Sequence, residues 1–105
     1  MSVTYVPVAA LDELVELKMK VVKVSGRDVI VTLVDGQPIA FDRYCPHEGG
    51  YLEEGVIAHG SVYCDDHSWA FDVRTGACTQ PVGGPKLGVL PIEEHDGHWC
   101  VRVES

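Results

Sequence analysis

The sequence lacks long hydrophobic runs. Nowhere do about 18 apolar residues follow one another, the length that a membrane-spanning helix needs, so we expect no membrane partner. Residues 1–6 lack the basic region and apolar stretch of a signal peptide. Since no export signal is present, the four cysteines are not expected to form a disulfide framework, and we predict a cytoplasmic location.

Basic residues are scarce as well. Eight Lys and Arg stand against 16 Asp and Glu, which gives a formal net charge of −8. A nucleic-acid partner is not expected, because neutralising phosphates requires Lys and Arg. Residues 42–72, called the acidic segment below, hold seven acidic residues against the single base Arg43. Two interpretations stay open: a surface that keeps the protein in solution, or one that steers docking onto basic partners.

A catalytic constellation is also missing from the sequence. It has no Ser-His-Asp order and no phosphate-binding loop. It also has no metal-binding pattern apart from the Cys and His pattern described below. His59, His95 and His98 lie next to turn residues, so we predict that they are surface histidines. No catalytic residue is therefore predicted.

Short β-strand patterns fill most of the chain. The β-branched run at 29–34 predicts a strand that is buried on at least one face. Asp35-Gly36 and Asp96-Gly97 are hairpin signals, and Pro7 favours an edge position for a strand at 3–8. We predict an all-β fold of about nine short antiparallel strands with almost no helix, in one domain with a modest core.

Two Cys and two His alternate at the centre of the chain. Cys45-Pro46-His47 is followed by sixteen residues and then by Cys64-Asp65-Asp66-His67. Thiolate and imidazole donors select zinc, copper or iron–sulfur rather than calcium or magnesium. A zinc finger usually groups a Cys pair and then a His pair, whereas here each loop offers one of each.

This pattern resembles the binding motif of Rieske proteins, in which a [2Fe–2S] cluster has one iron held by two Cys and the other by two His. The flanks also match, with Gly49-Gly50 after the first loop, 67–76 after the second, and the proline-rich stretch 80–85. The resemblance implies a Rieske fold, an antiparallel β-sandwich that carries a small cluster-binding subdomain. It further implies the boundaries 1–105 for the single domain and about 43–85 for the subdomain. The ligands of one [2Fe–2S] cluster are then expected to be Cys45, His47, Cys64 and His67.

Departures from the family pattern bear on the reduction potential. Two imidazoles in place of thiolates raise the potential of Rieske centres to roughly −150 to +300 mV. High-potential respiratory members of the family carry an extra disulfide, and the matching positions here are Gly50 and Asp66. Ser68-Trp69 stands where those members have Gly-Ser, and Asp65 adds further negative charge. We therefore expect a potential at the low end of the range.

Other residues receive simpler interpretations. Trp69 is expected to cover the cluster from water and to take part in docking. Cys78 and Cys100 are predicted to be small buried thiols, although a disulfide between them is possible from the sequence alone.

The resemblance implies a Rieske-type ferredoxin, the electron-transfer component of a bacterial aromatic-ring dioxygenase or toluene-monooxygenase type system. It would be a monomer that is not an enzyme, and it would take one electron from an NAD(P)H-dependent flavin reductase. The acceptor would be an oxygenase or hydroxylase component acting on an aromatic or alkene-like substrate. Two alternatives stay open: the small subunit of an assimilatory nitrite reductase, which shares this fold, and a structural zinc module.

Overall fold

The structure is a computed structural model that describes residues 2–47, 49–64 and 69–104. Regular structure in this part of the chain consists of eleven strands and one 3₁₀ turn. In chain order the elements are β1 (Val3–Ala10), β2 (Lys20–Val24), β3 (Arg27–Val34), β4 (Gln37–Asp42), the 3₁₀ turn (Leu52–Glu54), β5 (Val56–Ala58), β6 (Ser61–Tyr63), β7 (Ala70–Asp72), β8 (Cys78–Gln80), β9 (Val89–Leu90), β10 (Ile92–His95) and β11 (His98–Glu104). No helix of the described residues is both long and apolar enough to cross a membrane.

Three antiparallel sheets account for the strands. The first has the order β1-β11-β10, the second β2-β3-β4-β9 and the third β5-β6-β7-β8. The edge position predicted for the first strand is confirmed, because β1 pairs with β11 and its register shifts at Pro7. The third sheet follows the first Cys-His loop in the chain and encloses the second between β6 and β7.

Tight turns connect the hairpins. In each of four turns the two central residues have positive φ, as type I′ turns require. The predicted hairpins at Asp35-Gly36 and Asp96-Gly97 are therefore confirmed. The four pairs, with their φ angles, are Ser25 (51°) and Gly26 (81°), Asp35 (54°) and Gly36 (76°), His59 (55°) and Gly60 (76°), and Asp96 (53°) and Gly97 (80°).

The second sheet contributes to two hydrophobic cores. One core, called the sandwich core, lies between the first and second sheets and includes Val29 and Val31 of β3. The other core, called the loop-side core, includes Ile30 of β3 and Phe41 of β4, which are direct cross-strand partners. Because successive side chains of a strand point to opposite faces, β3 supplies both cores at once.

The prediction of an all-β antiparallel fold is confirmed, but the strand count of nine is too low. β8 was not predicted, because Thr79 and Gln80 are exposed and leave no apolar alternation to detect. β9 and β10 lie on either side of Pro91. β1 continues two residues beyond the strand predicted at 3–8, as far as Ala10.

Candidate metal centre

The first Cys-His loop leaves the second sheet through a closed neck. Tyr44 and Tyr51 form an isolated antiparallel bridge, and the Leu52 amide donates to the Arg43 carbonyl at 2.8 Å. Inside the neck the Cys45 amide donates to the carbonyl of Gly50 at 2.8 Å. The loop that carries Cys45 and His47 is therefore fixed at both ends by backbone hydrogen bonds.

Arg43 holds this neck together with its side chain. Its Nε and Nη2 both donate to Oε2 of Glu53, at 2.8 and 2.6 Å, and its guanidinium lies 3.9 Å from the centre of the Tyr51 ring. The Tyr44 hydroxyl donates to Oδ2 of Asp28 at 2.8 Å, which ties the neck to the start of β3. The pKa of Asp28 is lowered, first by the hydrogen bond from Lys23 and then by that from Tyr44.

The second Cys-His loop joins β6 to β7. The Cys64 amide donates to the Trp69 carbonyl at 2.8 Å, which closes this loop as the neck closes the first. His67, the predicted fourth ligand, lies outside the described residues, as do Asp65, Asp66 and Ser68.

The two loops bring two of the predicted ligands together. The Sγ atoms of Cys45 and Cys64 are 2.7 Å apart, and the two residues are only 2% and 3% exposed. They form no disulfide. Two thiolates at about 2.3 Å from one metal in tetrahedral geometry lie roughly 3.8 Å apart, so the sulfurs converge and need to open by about 1 Å to bind one iron. A pair of buried, converging thiols fits the Cys half of a Rieske site.

His47, the predicted ligand of the first loop beside Cys45, contacts a residue of the second loop. Its ring stacks on Trp69, with centroids 4.1 Å apart and planes 15° apart. Within residues 2–47, 49–64 and 69–104, no three His, Cys, Asp or Glu side chains group closely enough to hold one metal ion. Of the four predicted ligands, this part of the chain includes Cys45, His47 and Cys64.

The proline-rich stretch packs on the same tryptophan. A Cβ built on Gly84 would lie 2.7 Å from the Trp69 ring and 2.7 Å from Sγ of Cys78. Only glycine therefore allows this stretch to approach Trp69 so closely. Beyond it, the Trp69 ring stacks at 6.5 Å on Phe71, which is completely buried in the loop-side core. Trp69 thus links His47, the proline-rich stretch and the core.

Several of these contacts were not predicted from the sequence. The stacking of His47 on Trp69 joins residues of different loops, so spacing along the chain gives no signal for it. The pair of Arg43 and Glu53 had one available signal, since Arg43 is the single base of the acidic segment. Cys78 and Cys100 are buried thiols without a disulfide, as predicted. His59 and His98 are exposed as predicted, whereas His95 is half-buried and its ring contacts that of Tyr5 at a tilt of 34°.

Comparison with known proteins defines the class. The sequence profile of the Rieske [2Fe-2S] domain matches residues 4–91. The chain belongs to the Rieske [2Fe–2S] domain family, and it carries one Rieske [2Fe–2S] cluster.

Particular relatives narrow the type of Rieske protein. The ferredoxin component of an alkene monooxygenase system from Xanthobacter autotrophicus is 34% identical over 98% of this chain and 84% of its own. The ferredoxin of carbazole 1,9a-dioxygenase from Nocardioides aromaticivorans has a TM-score of 0.85 and 29% identity, covering 93% of this chain and 96% of its own. The protein is a ferredoxin that transfers electrons and is not itself the catalyst of an oxygenase system.

Two further similarities concern the partner protein of a ferredoxin and the alternative of a nitrite reductase small subunit. A ferredoxin solved in complex with the oxygenase of carbazole 1,9a-dioxygenase has a TM-score of 0.81 and 27% identity, covering 91% of this chain and 99% of its own. Solved structures described as nitrite reductase small subunits have TM-scores of 0.78 and 0.85 at 20% and 19% identity. At that identity the second likeness concerns the fold alone.

Proposed function

We propose that Cys45 and Cys64 hold one iron of the [2Fe–2S] cluster and that His47 and His67 hold the other. The observation that carries this assignment is the buried pair of thiols, 2.7 Å apart, at the ends of two loops. The match of residues 4–91 to the Rieske [2Fe-2S] domain favours this assignment over the structural zinc module.

When bound, such a cluster supplies a one-electron redox centre, with a potential between roughly −150 and +300 mV. The chain's own residues set how that centre meets its surroundings. The loop-side core excludes water from the Cys side, since Cys45, Cys64 and Phe71 are buried there. Lower exposure to water and hydrogen bonds to the sulfurs are the terms that adjust the potential. We expect the low end of the range, because Gly50 stands where high-potential proteins carry one cysteine of the extra disulfide.

Electrons would enter and leave at the end of the molecule that carries His47. Its partner in stacking, Trp69, is half-buried and contacts the proline-rich stretch. The tip of that stretch presents Val82, which is 89% exposed. An exposed apolar side chain beside a redox centre suits transient docking of a partner protein. We propose an NAD(P)H-dependent flavin reductase as electron donor and an oxygenase or hydroxylase component as acceptor.

The acidic segment would steer this docking. Arg43, its single base, is occupied by Glu53 and Asp28 at the neck. Glu54 is exposed and has no ion-pair partner within the described part of the chain. Negative charge is therefore left facing outward, which accelerates encounter with a basic surface and is weakened by salt. We expect electron transfer to the acceptor to slow as ionic strength rises; a rate that is independent of salt would leave solubility as the role of this charge.

The remaining proposals concern organisation. We propose a cytoplasmic monomer with one domain over 1–105, in which about 43–85 form the cluster-binding subdomain. The third sheet, β5 to β8, lies within that range. Size-exclusion chromatography with light scattering tests the monomer.

The function is tested by EPR of the dithionite-reduced protein together with a redox titration. A Rieske-type signal with a low potential is expected. His47→Ala and His67→Ala should each abolish the signal, His47→Cys should keep a cluster at lower potential, and the exposed His59→Ala is the control that should change nothing. A full Rieske signal in either ligand variant would contradict the assignment, and a colourless protein with one zinc would refute the function.

A further inference from the structure

Two tyrosines stand exposed at the neck of the first Cys-His loop. Tyr44 is 45% exposed and Tyr51 is 42% exposed, although both belong to the bridge that closes the neck. Their ring centroids are 5.7 Å apart with planes inclined at 58°. The two rings therefore form one continuous aromatic surface, called the tyrosine pair below.

Both rings are held in place before any partner arrives. The Tyr44 hydroxyl is fixed by its hydrogen bond to Asp28, at 2.8 Å. The Tyr51 ring lies under the Arg43 guanidinium, at 3.9 Å from its centre. Arg43 is in turn fixed by its two hydrogen bonds to Glu53. Rigid aromatic side chains lose little conformational entropy on binding, which is why they are frequent anchors of protein interfaces.

The tyrosine pair lies within reach of an interface centred on His47. Tyr44 and His47 are three positions apart in the sequence, so their Cα atoms are at most roughly 11 Å apart. An interface of standard size buries about 800 Å² on each partner, which corresponds to a disc of roughly 16 Å radius. An interface of this size centred on His47 is therefore wide enough to include the tyrosine pair.

We propose that the tyrosine pair is an aromatic anchor for docking the oxygenase component. This inference rests on the proposed function. The fitting surface on the oxygenase is an apolar recess bordered by Lys or Arg, because exposed Glu54 follows Tyr51 after only two residues. The oxygenase, rather than the reductase, is the chosen occupant because a 27% identical ferredoxin is solved in complex with an oxygenase.

The test compares Tyr44→Leu and Tyr51→Leu with a matched control, Tyr5→Leu. Tyr5 is 38% exposed and also stacks on a neighbouring ring, but it lies on β1 of the first sheet. Binding of each protein to the purified oxygenase component that accepts its electron is measured by calorimetry. Each neck variant should raise Kd about tenfold, as expected for an interface anchor, while the control leaves it unchanged.

The EPR spectrum and the reduction potential of the two neck variants distinguish a role of the tyrosines in docking from a role in supporting the Cys-His loop. Docking requires both to remain as in the unsubstituted protein, and Tyr44→Phe, which keeps the ring but loses the hydrogen bond to Asp28, should weaken binding less than Tyr44→Leu does. An altered signal, an unchanged Kd, or weakening limited to the reductase would each overturn the inference. The proposed function fails on a different observation, the absence of a Rieske signal in the unsubstituted protein.

Discussion

The sandwich core and the loop-side core differ in what they contain. The sandwich core is built from small aliphatic side chains such as Val29, Val31 and Val101, all completely buried. The loop-side core also contains Phe41 and Phe71 together with the two thiols Cys45 and Cys64. Aliphatic packing is sufficient for a core that only stabilises the fold. A redox site also needs buried ligands on one side and groups that reach the surface on the other. In the loop-side core, aromatic contacts run from buried Phe71 through Trp69 to exposed His47.

The difference predicts that the loop side tolerates less change. Its loops contact each other through backbone atoms rather than through side chains that can adjust. A side chain added at such a contact therefore cannot be accommodated by small movements of its neighbours. The sandwich side has tight turns that point into solvent. Four pairs of substitutions, described from the largest expected effect to the smallest, test this contrast.

Gly76→Ala and Gly26→Ala form the first pair. Both glycines have φ of +81°, but a Cβ at Gly76 would lie 2.0 Å from the carbonyl oxygen of Leu87, whereas a Cβ at Gly26 meets nothing within 4 Å. The left-handed backbone alone costs an alanine roughly 1–2 kcal/mol. Gly26→Ala should lose only that amount in urea unfolding, and Gly76→Ala several kcal/mol more or its fold. Equal losses would refute the importance of the loop-side approach.

Phe71→Ala and Val31→Ala compare the two cores directly. Removing a buried Phe typically costs about 3–5 kcal/mol, and removing two carbons of a buried Val roughly 2 kcal/mol. We expect Phe71→Ala also to lower the iron content of the folded fraction, because Phe71 supports Trp69. Val31→Ala should keep full iron per folded molecule. Iron analysis after size exclusion decides the matter, and parallel iron loss in both variants would show that the cores act as one.

Arg43→Lys and Arg27→Lys compare a guanidinium at the neck with one outside it. Arg43 gives two hydrogen bonds to Glu53, and a lysine lacks the planar donors that reproduce them. Arg27 forms its own hydrogen bond at 2.6 Å to Asp42, the residue that precedes the neck. Bleaching of the cluster by a chelator should be faster in Arg43→Lys and unchanged in Arg27→Lys. A normal bleaching rate in the neck variant would mean that backbone bonds alone hold the loop.

The smallest effect is expected for Asp28→Asn, which removes the negative charge that Tyr44 and Arg43 of the neck contact. The pKa of Asp28 is lowered from its ordinary value of 3.8, chiefly by the hydrogen bond from Lys23. A lowered carboxyl pKa stabilises the fold above the unfolded value, and this contribution is lost as pH falls through the folded value. Unfolding measured from about pH 5 downward should therefore show a weaker pH dependence in Asp28→Asn. Asp12→Asn, at an exposed residue without an ion pair in the described chain, should retain the original dependence.

The sequence predicted the general architecture because its signals are local. Alternating apolar residues and dipeptides such as Asp35-Gly36 determine strands and hairpins within a few residues. The two thiols were predicted to act together because Cys-x-His and Cys-x-x-His are compact motifs. The contacts of Trp69 with His47 and Gly84, and those of Arg43 with Glu53 and Tyr51, depend on how loops meet in space. Such contacts arise from tertiary packing and leave no period or spacing in the chain.

The double-sided burial of β3 has a consequence for protein engineering. Ile30 and Phe41 are cross-strand partners of the second sheet, yet they fill the loop-side core. A fragment cut out at about 43–85 for grafting onto another scaffold would leave both side chains behind and open its own interior to water. The electron-carrying end of this protein is therefore not a transplantable module. A useful graft has to include the β3–β4 hairpin, because Ile30 and Phe41 complete the loop-side core.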